Sequence, residues 1–158
     1  MSTENAFTHL DDQGQAHMVD VSDREISTRT AIASGKVLLS NVVVAMLRDG
    51  TVPKGDVLST ARLAGIMGAK RTPDLIPLAH PISLHSVSVD LQIVDDGVTI
   101  SSNVRTADRT GVEMEALTAV SISALTIIDM VKSLDPRATI TDIHVDAKDG
   151  GRNGAWKR

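Results

Sequence analysis

The sequence predicts an α+β sandwich, an antiparallel sheet with helices packed on one face. Three observations carry that prediction. Strict alternation from His85 to Val94, a turn at Asp95-Asp96-Gly97 and a second alternation through Val98, Ile100, Ser102 and Val104 read as a β-hairpin. The stretch from Gly111 to Lys132 reads as one long helix: twelve of the eighteen residues from Met114 to Val131 are apolar, and Leu117, Val120, Ala124, Ile127, Val131 and Leu134 share a stripe. Helical and extended stretches alternate on either side of the hairpin, as in α+β architectures. At 158 residues the chain is long enough for a real core and short for two, so residues 1–158 are expected to form a single domain.

Residues 1–16 are polar and irregular, an expected flexible arm, and His17-Met-Val-Asp-Val-Ser22 follows as a short extended segment. The β-branched stretch Ile26 to Thr30 and then Lys36-Val-Leu-Leu39 mark the first strand region. Asn41 is a candidate cap for a short helix from Val42 to Leu47, ended by the Asp49-Gly50 turn. After Pro53-Lys-Gly-Asp56 a helix runs from Val57 to about Arg71 and stops at Thr72-Pro73. Its face carries Ala61, Ala64, Gly65, Gly68 and Ala69. A glycine inside a helix costs roughly 1 kcal/mol relative to alanine, so this face is expected to pack closely on a neighbour. Pro73, Pro77 and Pro81 are expected to hold the next segment non-helical. The long helix is expected to open at a capping box, Thr110-x-x-Glu113, and Asp135-Pro136 ends it. Thr139 to Val145 is the last strand, and residues 149–158 form an expected flexible basic end. The order strand, helix, strand, strand, helix, strand is that of a ferredoxin-like sandwich.

Composition excludes several functions. A net charge of −4 argues against general nucleic-acid binding. Phe7 and Trp156 are the sole aromatic residues, so no base-stacking platform can be built. The absence of cysteine removes disulfides, thiolate metal sites and cysteine nucleophiles, and suits a cytoplasmic protein. The start, Met-Ser-Thr-Glu-Asn, has neither the basic nor the apolar region of a signal peptide. The long helical stretch is interrupted by Glu, Asp, Ser and Thr, so no membrane span is expected. His9, His17, His85 and His144 lack metal-ligand spacing, and no metal site is expected.

The residues suited to chemistry are few. Asp129 and Lys132 lie three apart on one helix and are neighbours. They are either an exposed ion pair or a coupled acid and base at a subunit seam, where burial brings a lysine toward neutrality. Ile122 and Leu125 lie on their side of the helix, among Glu115 and Thr118, so the helix is expected to meet a subunit or ligand there as well as the sheet. Glu115 shares that side but lies roughly 21 Å from Asp129 along the axis. Lys54 precedes a helix N-terminus, which favours anions. His80 is held between Ala79 and Pro81. Pattern alone gives an anionic-ligand domain.

The words of the sequence add more. His17-Met-Val-Asp-Val-Ser22, Lys54-Gly-Asp-Val, Ala61-Arg-Leu-Ala-Gly-Ile, Ala69-Lys-Arg-Thr, Leu75-Ile-Pro-Leu-Ala-His-Pro81, Gly111-Val-Glu-Met-Glu-Ala-Leu-Thr-Ala and Asp129-Met-Val-Lys132 resemble the MoaC family, the cyclic pyranopterin monophosphate synthases of molybdenum cofactor biosynthesis. The resemblance runs from about Thr8 to Gly154. It implies a ferredoxin-like fold, a homohexamer built as a trimer of dimers, and an active site at the dimer seam. The implied lyase reaction rearranges a cyclised dihydro-GTP into a pyranopterin bearing a cyclic phosphate and releases pyrophosphate. Asp129, Lys132, Lys54 and His80 match catalytic positions. Leu78, Ala79, His80, Glu113, Met114 and Glu115 match substrate contacts, and His17, Arg29, Lys70 and Lys148 match phosphate or guanine contacts. No cofactor is required, although Mg²⁺ can accompany the triphosphate. Departures are Ala79 where the family often has Cys, Ile128 where Tyr is common, Val131 where Cys is common, and Arg152-Asn-Gly in place of Lys-Ser-Gly. The competing class is a non-catalytic sensor of a purine nucleotide or pterin, which needs the anion-binding lysines but not the Asp129–Lys132 pair.

Overall fold

In the structure, a computed structural model, residues 10, 11, 13–152 and 154–158 are described. Most of the arm expected over residues 1–16 lies outside them, as does His9. The chain forms β1 (Ser27–Leu38), α1 (Asn41–Asp49), α2 (Val57–Ala69), α3 (Thr72–Leu75), β2 (Ser86–Val94), β3 (Gly97–Asp108), α4 (Glu113–Val131), β4 (Thr139–Asp149) and β5 (Trp156–Lys157). The sheet order is β2-β3-β1-β4-β5 and every pairing is antiparallel. This order follows from the connections. Each helical crossover returns the chain parallel to the strand it left, one place away, and a strand from the other half fills the gap. The ferredoxin-like α+β sandwich read from the sequence is the fold observed, with the short β5 added at the β4 edge.

β1 is one strand where the sequence marks only its two ends. Its middle is Ala31-Ile-Ala-Ser-Gly35, too small to register as a strand by propensity. Those small residues are needed for packing. Ala31, Ala33, Gly35 and Val37 are buried in alternation against α4. A Cβ on Gly35 would lie 2.7 Å from Val120 Cγ1 and 3.0 Å from Ile143 Cγ1. β4 meets β1 through two register shifts, between Ile32 and Ala33 and between Ser34 and Lys36, and Asp142 takes φ 56° beside them. These irregularities explain why the alternation of β4 is hard to read.

α4 lies on the sheet and under α2. Of the expected stripe, Val120, Ala124, Ile127 and Val131 are buried, Leu117 is half-buried, and Leu134, past the helix end, is exposed. The small residues Ala116, Ala119 and Ser123 are also fully buried. The expected capping box does not form. The helix starts at Glu113, with Val112 at the cap position and no side-chain cap bond, so Glu113 is the first helical residue rather than the third. α4 is long and apolar enough to cross a membrane by length and composition alone, but more than half of it is buried inside the chain, in keeping with the absence of a span expected from its polar residues. Here its apolar residues form the chain's own core.

Two smaller corrections concern helix ends. Ser40, not Asn41, caps α1, its Oγ accepting from the Val43 amide, and Gly50 closes it at φ 65°. The segment after Thr72 is not wholly non-helical. It begins with the single turn α3, which tolerates Pro73 in its first turn, where no intrahelical N–H bond is lost.

The glycine face of α2 packs as expected. A Cβ on Gly68 would lie 2.7 Å from Ile122 Cγ1, and one on Gly65 would lie 2.8 Å from the Ala119 carbonyl and against Ser123 Oγ. Ser123 Oγ donates to the Ala61 carbonyl at 3.0 Å, so the seam is hydrogen-bonded as well as close. We expect Gly65→Ala to lower stability by about 1–2 kcal/mol, because overpacking against a backbone carbonyl outweighs the gain in helix propensity. Urea denaturation followed by circular dichroism measures it, and an unchanged or raised midpoint would contradict the close seam.

Candidate active site

α4 places two groups of charged residues at its two ends. At the C-terminal end, Lys132 Nζ lies 2.7 Å from Asp129 Oδ1. Lys54, from the loop before α2, donates to the Asp129 carbonyl at 2.6 Å and stands 3.6 Å from Oδ2. Asp56 anchors that loop by capping α2, its Oδ1 accepting from the Ser59 amide at 2.9 Å. The Lys132 ammonium, by hydrogen bond and charge, holds the Asp129 carboxyl below its ordinary value, with Lys54 adding to the effect. All three side chains are exposed. An exposed ion pair contributes little to stability, so this Lys–Asp–Lys arrangement is not explained by folding.

At the N-terminal end lies a groove. Leu78, Ala79, His80, Thr110, Gly111, Glu113, Met114 and Glu115 line one cavity with Val19, Val21 and Arg24. A second holds Arg24, Arg29, Thr30, Gly111, Glu113, Lys148, Asp149, Gly150 and Arg152. Their volumes, about 210 Å³ and about 180 Å³, are each below the roughly 300–1,000 Å³ of a small-molecule site. Sharing Arg24, Gly111 and Glu113, they form one groove of adequate size.

Local chemistry shapes it. Glu113 turns its carboxylate to Lys148 at 3.2 Å, and a Cβ on Gly111 would collide with that carboxylate. Arg29 Nε donates to the Asp108 carbonyl at 2.9 Å. Gly150 and Gly151, at φ 88° and 81°, let the chain turn tightly over the start of β1. His80 Nε2 lies 2.7 Å from the Val19 carbonyl.

Glu115 is 3% exposed. Burial, with Glu113 nearby, pushes its carboxyl up to about 7. Such a group can give or take a proton near neutrality. On the same helix, then, one acid is held ionised and another is brought to the edge of protonation.

Most of the site residues read from the sequence fall in these two groups. His17 and Lys70 do not: both are exposed, and neither lines the groove nor joins the Asp129 group. The sequence reading missed Arg24, Val19, Val21, Gly111 and Arg152. Arg24 and Arg152 sit in irregular segments with no period to mark them. Among the described residues no set of three His, Asp or Glu side chains is arranged to hold a metal ion.

The sequence profile of the MoaC family matches residues 18–151. The chain belongs to the MoaC family. It is 60% identical over 158 residues to a protein of Streptomyces griseus subsp. griseus named cyclic pyranopterin monophosphate synthase, covering 100% of this chain and 89% of that one. A protein of the same name from Streptomyces coelicolor is 59% identical over 155 residues, 98% of this chain and 91% of its own. One from Mycobacterium tuberculosis, named cyclic pyranopterin monophosphate synthase 2, is 54% identical over 152 residues, with 96% and 91% covered. Two of the departures expected from the MoaC family pattern lie in or against the core. Val131 is buried in the core and Ile128 packs against it, so both fill space. Ala79 presents a methyl group to the groove, and with no cysteine in the chain no thiol can act there.

The raised Glu115 has a stability consequence. Its folded value, about 7, lies above the ordinary 4.5, so the folded state binds the extra proton and loses stability as pH rises through that window. We expect Glu115→Gln to gain on the parent by about 3 kcal/mol above pH 7, with the gain vanishing below pH 4.5. A gap that stayed constant with pH in chemical denaturation would contradict the shift.

Proposed function

We infer that the groove and the Lys54–Asp129–Lys132 group are two halves of one active site, which converts the cyclised dihydro-GTP nucleotide to cyclic pyranopterin monophosphate with release of pyrophosphate. The chain is a cyclic pyranopterin monophosphate synthase, a lyase of an early step in molybdenum cofactor biosynthesis. One observation carries the two-halves reading. Both groups are open on the single chain, yet they lie roughly 21 Å apart along α4. Between and beside them are exposed apolar side chains, Met114 and Leu125 on α4 and Leu63 and Met67 on α2. An isologous two-fold contact across this face would set the Asp129 end of one chain beside the groove of its partner. The reading therefore includes a homo-oligomer, assembled as a trimer of dimers, in the cytoplasm.

The chemistry divides accordingly. Opening and re-forming rings needs protons moved on nitrogen, carbon and oxygen, which Lys132, paired with Asp129, and His80 supply. Lys54 assists cyclisation. Pyrophosphate leaves only if its charge is met, and Arg29, Lys148, Arg24 and Arg152 gather cations in the groove for that purpose. Leu78, Ala79, Met114 and the carboxylates of Glu113 and Glu115 hold the purine-derived part. His17 and Lys70 reach the ligand from a neighbouring chain or not at all. No resident cofactor enters this scheme; Mg²⁺ would arrive as a counter-ion of the triphosphate.

Pyrophosphate release from the cyclised nucleotide tests the activity. Lys132→Ala is expected to lower turnover by at least about 100-fold with its circular dichroism unchanged; near-normal turnover would remove Lys132 from the mechanism, and binding without any release would favour a sensor.

A mixing experiment tests the shared site. Lys132→Ala and Glu115→Ala chains, each inactive, should regain about a quarter of parental activity when co-refolded, since half of the dimers are mixed and one of their two sites is intact. No recovery in verified mixed dimers would place both ends in one chain.

A further inference from the structure

The segment Met18 to Ser22 reaches the groove from outside the sheet and touches the one imidazole in it. Val19 and Val21 are half-buried and line the groove, while Asp20 and Ser22 are exposed. Asp20 Oδ1 accepts from the Ser22 amide at 2.8 Å, and the Arg24 amide donates to the Val21 carbonyl at 3.1 Å. These bonds fix the turn that follows Val19. The Val19 carbonyl then meets His80 Nε2 at 2.7 Å.

A carbonyl oxygen has lone pairs and no proton to give, so the nitrogen facing it must carry the N–H. A neutral imidazole has one N–H, which leaves Nδ1 with the lone pair. We propose that the Met18–Ser22 segment is a positioning element for His80: the Val19 carbonyl holds the ring through Nε2–H, so that Nδ1 is the atom that exchanges protons with the bound nucleotide. This rests on the reading of the groove as part of the synthase site. A proton taken from the ligand at Nδ1 makes the imidazolium, and the bond to Val19 becomes charge-assisted, shorter and stronger. The proton returns to the ligand in a later step, so the ring finishes as the neutral Nε2–H form. Pro81 restricts the backbone next to the ring, and among the described residues the Val19 carbonyl is the hydrogen-bond partner of the imidazole, so that carbonyl is the contact that selects orientation.

Glutamine separates the two functions of the ring, because its side-chain N–H₂ can replace the Nε2–H donor while offering nothing that titrates in place of Nδ1. Long-range ¹H–¹⁵N spectra of histidine-labelled parent protein, with five histidines to assign, are expected to show His80 as the Nε2–H form, its proton exchanging more slowly than that of exposed His17. His80→Gln is expected to keep the amide protection of residues 19–22 and the KM, while kcat falls about 100-fold. Asp20→Ala should speed exchange of the Nε2 proton and lower kcat, and Asp20→Asn, whose side-chain oxygen can accept the same Ser22 bond, should restore both. An Nδ1–H form of His80, or parental turnover in His80→Gln, would overturn the proposal. Failure of the parent protein to release pyrophosphate would instead overturn the functional reading, and the tautomer seen by NMR keeps the two failures apart.

Discussion

The distance at which α4 lies against its neighbours governs the rest of this structure. Ala31, Ala33 and Gly35 on β1 let the helix down onto the sheet, and Gly65 and Gly68 on α2 let a second helix down onto it. Interiors pack at near-crystal density, so these small residues leave α4 no freedom to roll or slide. That rigidity matters because both ends of α4 carry charge. A shift of even an ångström at the seam would move Glu115 and Asp129 together, and sites that transfer protons tolerate little displacement.

The same helix shows how environment divides identical chemistry. Glu115 and Asp129 both carry carboxylic acids. Glu115 is buried in the first turn next to another acid, whereas Asp129 sits in water between two ammonium groups. Desolvation favours the neutral acid in one case and salt bridging favours the anion in the other. Two carboxyl groups with values pushed apart are a common basis for assigning acid and base roles in one site. Here burial at one end of the helix and two ammonium groups at the other make the separation.

What could be read from the sequence follows from what has a period. The hairpin β2–β3 and the body of α4 were plain because alternation and the helical repeat survive in them. The glycine face of α2 was also legible, since two helical glycines are costly unless something packs on them. The centre of β1 was not, because Ala and Gly are chosen there for size and carry no strand signal. The start of α4 was misread because Thr110 and Glu113 have capping-box spacing, while the helix begins three residues after Thr110 and uses Glu113 to pair with Lys148. Charged groups on regular elements, such as Asp129 and Lys132, could be paired by spacing. Arg24 and Arg152 could not, since they meet only when β4 returns beside β1 and the irregular segments at its end fold over.

The short strand β5 has a practical side. Trp156 is the sole tryptophan, and the chain has no tyrosine. Its backbone pairs with Lys148, a residue that lines the groove, and Trp156 is 45% exposed. Nearly all the ultraviolet absorption and fluorescence of the chain therefore comes from a peripheral two-residue strand. Its emission is a local gauge of the groove's edge and a poor gauge of the core, which holds no aromatic chromophore among the described residues and is optically silent.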